Sequence, residues 1–301
     1  MAVPAGFRGG RKVAAATEAP HPRVWGPSGL PLTPFLVFCA GTTGGRSLAM
    51  PRYDFRTPRV YLDVALHEGA TVALDPAQAN YLGNVLRLKT GDSVLVFNGR
   101  DGEWRGMLAS AGRRSLTLAI GSRTRPQAGA LDLHYWFAPL KHARLDYMAQ
   151  KAVEMGASRL QPVLTRHAQV ARVNLDRLRA NAIEAAEQCG ILTLPDIGAP
   201  LPLDRMIRER EAARLLVFCD EEAEVKDPVA ALAEARDASG GEAIPLAVLI
   251  GPEGGFAPDE RALLLKLPNT VRLALGPRIL RADTAAVAAL ALVEAVLGDW
   301  R

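Results

Sequence analysis

Ala247-Val248-Leu249-Ile250-Gly251-Pro252-Glu253-Gly254-Gly255-Phe256 runs from four apolar residues directly into a turn of three glycines, a proline and a carboxylate. Leu246 to Ile250 has the length and continuous apolarity of a strand buried on both faces. Pro258-Asp259-Glu260 then opens a helix, with proline in its first turn and acid near its N-terminus. A strand, a glycine turn and a helix in that order place the turn at the C-terminal edge of a sheet. Ligands of α/β proteins bind there, because glycines let the backbone approach closely and free N–H and C=O groups can bond a cofactor. No Lys-Ser/Thr follows the glycines and GxGxxG is absent, so the signatures for ATP and dinucleotides are missing. Standing alone, the stretch is equally well read as a tight strand-to-helix turn.

Leu275-Gly276-Pro277-Arg278-Ile279-Leu280-Arg281-Ala282-Asp283-Thr284-Ala285 repeats the arrangement with two arginines at the turn. Strands are further expected at Leu131 to Phe137, Leu215 to Cys219 and Val271 to Leu275. Helices are expected where Leu145, Met148, Ala149, Ala152 and Met155 share one face up to Gly156, from the cap Asn174 through Gln188, and from Thr284 to Leu297. Alternating strands and helices over 131–301 predict a mainly parallel sheet covered by helices.

The preceding segment is of another kind. From Tyr61 to Ile120 short β-type runs alternate with turn signals, among them Asn98-Gly99 and Asp101-Gly102, with one helix near Pro76 to Leu86. That predicts a small β-barrel or sandwich over 50–122, joined by a linker at 123–130 that contains Arg123, Arg125, Pro126 and Gly129. Residues 1–49, rich in Gly, Pro, Ala and Arg with the single acid Glu18, are expected to be a disordered extension or the product of a start assigned too early.

The 301 residues carry 36 Lys+Arg against 32 Asp+Glu, unevenly distributed. Net charge is +4 over 1–49, +4 over 50–130 and −4 over 131–301. Affinity for a polyanion is therefore expected from the β-rich segment. Three cysteines without CxxC spacing and five scattered histidines give no disulfide framework and no metal site. A reduced, cytoplasmic setting is expected, and the apolar stretch Ala285 to Leu297 is too short to span a bilayer.

Together the two glycine loops resemble the cofactor motifs of SPOUT methyltransferases, whose C-terminal segment is threaded through a trefoil knot. Further residues narrow the resemblance to the bacterial 16S rRNA uracil-N3 methyltransferases. Asn84-Val85-Leu86-Arg87-Leu88-Lys89, Gly91-Asp92 and Phe97-Asn98-Gly99 are similar to that family's PUA-like domain. Gln150-Lys151, Glu154, Gly156 and Pro162, then Glu184-Ala185-Ala186-Glu187-Gln188-Cys189-Gly190 and Pro195, are similar to its catalytic domain. The resemblance covers about Arg59 to Gly298. It departs from the family at Asn80, commonly His, at Ile191, commonly Arg, and at Asp283, commonly Glu.

The resemblance implies a PUA-like domain followed by a SPOUT α/β knot domain, S-adenosylmethionine as cofactor, 16S rRNA as partner in the assembled small subunit, and a homodimer; because Thr284 to Leu297 is apolar nearly all round, that helix is expected to contribute to the interface. It implies cofactor contacts from Leu249, Ile250, Gly251, Glu253, Gly254, Gly255, Leu275, Gly276, Ile279, Leu280 and Arg281. Methylation at uracil N3 requires loss of the N3 proton. An arginine can stabilise the resulting anionic ring and a carboxylate can position or accept the proton, which selects Arg281 and Asp283, with Arg278 as a phosphate or loop contact. Asp283 is equally well placed in sequence to cap the last helix, whereas surface ion pairs are the weaker alternative for the arginines, because both flank a glycine turn at a sheet edge. Arg52, Arg56, Arg59, Arg87 and Lys89 are candidates for phosphate contact in the β-domain, and Lys141, Arg144 and Arg166 along the RNA path. Glu187 and Gln188 are expected to stabilise their helix end. Two other readings compete: a SPOUT enzyme acting elsewhere on rRNA or tRNA, and a non-catalytic RNA-binding module that would not need both cofactor loops.

Overall fold

The computed structural model describes residues 54–110, 116–170, 172–224, 227–240 and 243–300. The expectations for 1–49 and for Arg52 lie outside them. In the first half, β1 (Arg59–Tyr61), β2 (Thr71–Ala73), β3 (Ser93–Phe97), β4 (Glu103–Ser110) and β5 (Leu116–Arg125) form one sheet in the order β1-β3-β4-β5-β2. Only β1 and β3 run parallel. The helix α1 (Pro76–Asn80) is started by a capping box between Asp75 and Gln78, and it continues as a π-helical turn over Tyr81–Val85. That turn seats the fully buried Leu82 among Val60, Val94, Val96, Leu108 and Leu118. The strand β5 continues to Arg125, into the stretch read as linker, because Arg125 pairs across β4 with Glu103 instead of ending the strand.

The second half forms a parallel sheet from β6 (Leu133–Phe137), β7 (Arg159–Leu164), β8 (Asp196–Ile197), β9 (Leu201–Pro202), β10 (Leu215–Cys219), β11 (Leu246–Ile250) and β12 (Thr270–Leu273). The order is β12-β10-β11-β6-β7-β8, with β9 paired to β7. Alternate residues of β11 serve different cores. Leu246, Val248 and Ile250 pack with α2 (His142–Glu154), α3 (Leu175–Cys189), α5 (Pro228–Ala238) and α7 (Ala282–Val296). Ala247 and Leu249 face the opposite layer with Trp136, Phe218, Met206 and Leu264, where α4 (Leu203–Glu209) and α6 (Pro258–Leu265) lie. Burial on both faces explains why β10 and β11 are continuously apolar.

The last helix begins at Ala282, two residues before the expected start. Much of its apolar surface is spent within the chain: Ala286, Ala289, Leu290 and Val293 are buried, and α7 packs on α2, α5 and β11. Glu294 is buried on this helix, and burial pushes its carboxyl up to about 7. Just past the end of α2, Gly156 lies in the left-handed region at φ +81°, where an added Cβ would lie 2.9 Å from Glu294 Oε1. Beyond α7, a Cβ on Gly298 would lie 2.1 Å from Glu294 Oε2 and 2.7 Å from its Cα.

Candidate functional site

The chain passes from β11 to β12 without placing the two strands side by side, because β10 lies between them. Three strand ends therefore converge at one edge, and their loops enclose a cleft of about 520 Å³. Its walls are 219–222 at the end of β10, 250–253 with 255–256 after β11 and 273–282 at the end of β12, with Arg144 entering from α2. This is the edge at which open parallel sheets bind ligands.

Nine of the eleven residues expected to contact a cofactor line it: Ile250, Gly251, Glu253, Gly255, Leu275, Gly276, Ile279, Leu280 and Arg281. Leu249 and Gly254 stand outside. Leu249 points into the opposite core, as its strand alternation demands, and a Cβ on Gly254 would face the His167 side chain at 3.5 Å. Glycine is required at 251 because Phe256 folds back over the turn and its ring would meet a Cβ at 2.6 Å. Phe256 is in turn held edge-on to the buried Phe218, ring centres 5.2 Å apart. Gly276, at φ +93°, turns the chain out of β12.

Glu253 is bonded by the Arg144 guanidinium and accepts from Gln169 Nε2 at 2.6 Å. Arg144, expected on an RNA path, is thus part of the cleft wall. The acidic wall at Asp220-Glu221-Glu222 was not expected, although an acid run directly after an apolar strand is a legible signal. Burial alone would raise the Asp220 carboxyl, but bonds from Arg261 (3.0 Å) and Arg272 (2.9 Å) hold it below its usual range. Beside it, burial pushes the Cys219 thiol up to about 12, which leaves it protonated and unsuited to nucleophilic attack.

Arg278 and Arg281 are exposed at the cleft, and neither side chain makes an ion pair or hydrogen bond with another described residue. The surface ion-pair reading of these arginines therefore fails. Asp283 lies in the first turn of α7, half-buried, and accepts from the N–H of Thr284 at 2.9 Å. The cap position belongs to Arg281, whose side chain makes no cap bond, so Asp283 is not the N-cap. Ile279 between the arginines is 95% exposed.

The remaining basic candidates separate. Arg56, Arg87, Lys89 and Lys141 are exposed, and Arg87 sits in the left-handed region at φ +57°. Arg166 is exposed and pairs with Asp259 at 2.6 Å. Arg59 is a correction: it is buried, its Nε meets Glu103 at 2.7 Å, and Nη1 donates to the Glu187 carbonyl. The pairing strands β3 and β4 bring Glu103 under it, so its charge is spent inside the protein. Arg125 joins the same carboxylate and donates to the Gly190 carbonyl, so two arginines cap the C-terminal end of α3 from the neighbouring sheet. Glu187 does not hold its own helix end but accepts from the Tyr61 N–H at 2.8 Å. Among the described residues, no group of three or more His, Cys, Asp or Glu is arranged to hold a metal, and no helix is long and apolar enough to cross a membrane.

Comparison with known proteins places these features in a family. An RNA methyltransferase domain matches residues 127–294, and an RNA methyltransferase PUA domain matches 74–121. A Rickettsia conorii protein named ribosomal RNA small subunit methyltransferase E is 30% identical over 78% of this chain and 94% of its own. A protein of the same name from Neisseria gonorrhoeae, solved bound to S-adenosyl methionine, is 25% identical with a TM-score of 0.70, covering 82% of this chain and all of that one. A Legionella pneumophila methyltransferase structure containing the same bound cofactor is 27% identical with a TM-score of 0.66, covering 80% and 98%.

Proposed function

This chain belongs to the RNA methyltransferase family, and from that membership we propose that it transfers a methyl group from S-adenosylmethionine to N3 of a uridine in 16S rRNA. The observation that carries the reading is the three-loop cleft, in which glycine turns and apolar side chains adjoin two unpaired arginines. The cleft suits the cofactor: backbone groups of 250–256 and 274–280 can bond a base edge, Leu275, Ile279 and Leu280 supply apolar surface, and the carboxylates of 220–222 and 253 suit ribose hydroxyls and a cationic ligand.

When bound, S-adenosylmethionine supplies an electrophilic methyl group. The protein's own task lies with the uracil, whose N3 must lose its proton. Arg281 stabilises the negative charge that develops on the ring, an arrangement that is effective because its guanidinium has no internal partner to surrender. Asp283 positions or accepts the proton, and Arg278 holds a phosphate at the rim. Exposed Arg56, Arg87 and Lys89 of the PUA-like half contact the RNA backbone. The active form is a homodimer whose interface includes the half-buried face of α7, the SPOUT knot is threaded as the resemblance implies, and the substrate is the assembled small subunit.

Mapping N3-methylated uridines in 16S rRNA from a deletion strain, with and without the gene restored, tests the assignment. Loss of one modified uridine and its return on complementation is the expected result. An unchanged modification pattern in rRNA would refute it.

A further inference from the structure

The seam between the PUA-like sheet and α3 contains a smaller cleft of about 160 Å³, well away from the three-loop site in sequence and built from different elements. Phe55 and Tyr81 contribute rings that are 47% and 37% exposed. Arg56 and Gln188 are exposed at the cleft, and their side chains make no hydrogen bond with another described residue. Arg59 forms part of the wall with only 4% of its side chain exposed, yet its buried Nη2 has no hydrogen-bond partner. An unsatisfied buried guanidinium nitrogen costs free energy unless something accepts from it. Glu187 completes the wall. One of its oxygens accepts from the Tyr61 N–H, and the other makes no hydrogen bond to a described residue.

The geometry points to a second RNA contact at this seam: a pocket for one unpaired nucleobase, separate from the base that is methylated. It rests on the RNA methyltransferase reading and extends it. An aromatic face, a pair of hydrogen-bonding side chains and a free cation at the mouth are what a splayed nucleotide needs, with stacking on Tyr81, its edge read by Glu187 and Gln188, and its phosphate at Arg56. The volume suits one planar base and is too small for a duplex groove. Burial, with Glu184 nearby, pushes the Glu187 carboxyl up to about 7, so near neutrality it is available both as donor and as acceptor. Because the pocket draws on β1, α1 and α3 together, an occupant would read the relative placement of the sheet and the catalytic part, both described within one compact unit.

The test uses the full chain and labelled fragments of 16S rRNA. Tyr81→Leu keeps apolar bulk but removes stacking, and it should weaken RNA affinity by about tenfold without changing the salt slope. Tyr81→Phe should stay within about twofold of wild type, and S-adenosylmethionine affinity should be unchanged in both. Arg56→Ala should lower the salt slope by about one. Wild-type affinity in Tyr81→Leu, or equal losses in the Leu and Phe variants, would overturn the pocket while leaving the proposed reaction standing. A wild-type protein that does not bind rRNA would overturn both. Should Tyr81→Leu fold poorly, 4-thiouridine RNA crosslinked to the wild type decides: crosslinks at Tyr81 or the 184–188 segment support the pocket, and crosslinks confined to 250–256 and 274–281 reject it.

Discussion

The chain uses arginine in two opposite ways. At the seam between its halves, Arg59 and Arg125 converge on one buried carboxylate and on the carbonyls that end α3. At the cleft, Arg278 and Arg281 stand exposed with no partner among the described residues. A guanidinium answered by a buried carboxylate holds a structure together, and at Arg59 only Nη2 is left over. One held at a sheet edge without a partner keeps its charge for whatever enters. The contrast sets a pair whose charges are answered inside the protein against a pair on which the proposed reaction draws.

Removing the shared carboxylate tests the first half of this contrast most severely. Burial alone would raise Glu103, but bonds from Arg125, Arg59 and Thr124 hold it below its usual range. Glu103→Ala should therefore leave the buried Arg59 without a counter-charge and cost about 3–5 kcal/mol, read as a lower midpoint in denaturant. A loss below about 1 kcal/mol would show that the network is not what holds the seam.

The seam should also carry a pH dependence. Burial raises Glu187 from 4.5 to about 7, so the folded chain keeps a proton that the unfolded chain releases. This contribution is fully present below about 4.5 and is lost as pH rises through about 7, on the order of 3 kcal/mol for a shift of this size. Comparing wild type with Glu187→Gln between pH 5 and 8 should show the wild type losing more stability as pH rises. Parallel curves would place the carboxyl at an ordinary value.

At the cleft the expected change is in rate and not in folding. Arg281→Ala should slow single-turnover methyl transfer by ~10²-fold or more, with little change in melting temperature or in cofactor and RNA affinity. A wild-type rate would make Arg281 a loop residue. The smallest effect belongs to the exposed base of the PUA-like half: Arg87→Ala should weaken RNA binding and reduce its salt slope by about one, with an unchanged rate at saturating RNA. A slower chemical step in that variant would blur the division between the two regions.

What could be read in advance follows the range of the interactions. The bounds of β10 and β11 and the cap at Asn174 were legible because apolar runs and caps are local signals. Nine of the eleven residues expected at the cofactor line the cleft because the turns that carry them are contiguous in sequence. Arg59 was misplaced among RNA contacts because its partner lies 44 residues away, and only strand pairing brings them together. The acid run at 220–222 is legible directly after an apolar strand, but its place as a cleft wall follows only once β12 settles beyond β10. The extension of β5 was hidden by Arg123 and Arg125, which look like loop residues until Glu103 is opposite.

The carboxyl of Glu294, enclosed between Gly156 and Gly298, restricts how this chain can evolve. Alanine at 298 would collide with the Glu294 Cα as well as with its carboxyl, so shortening Glu294 does not open the way. At 156 the collision is with the carboxyl alone, and a smaller residue at 294 removes it, but the left-handed backbone remains. Positions 156 and 294 are therefore epistatic, so that a change at 156 is easier after one at 294, whereas glycine at 298 is required whatever stands at 294.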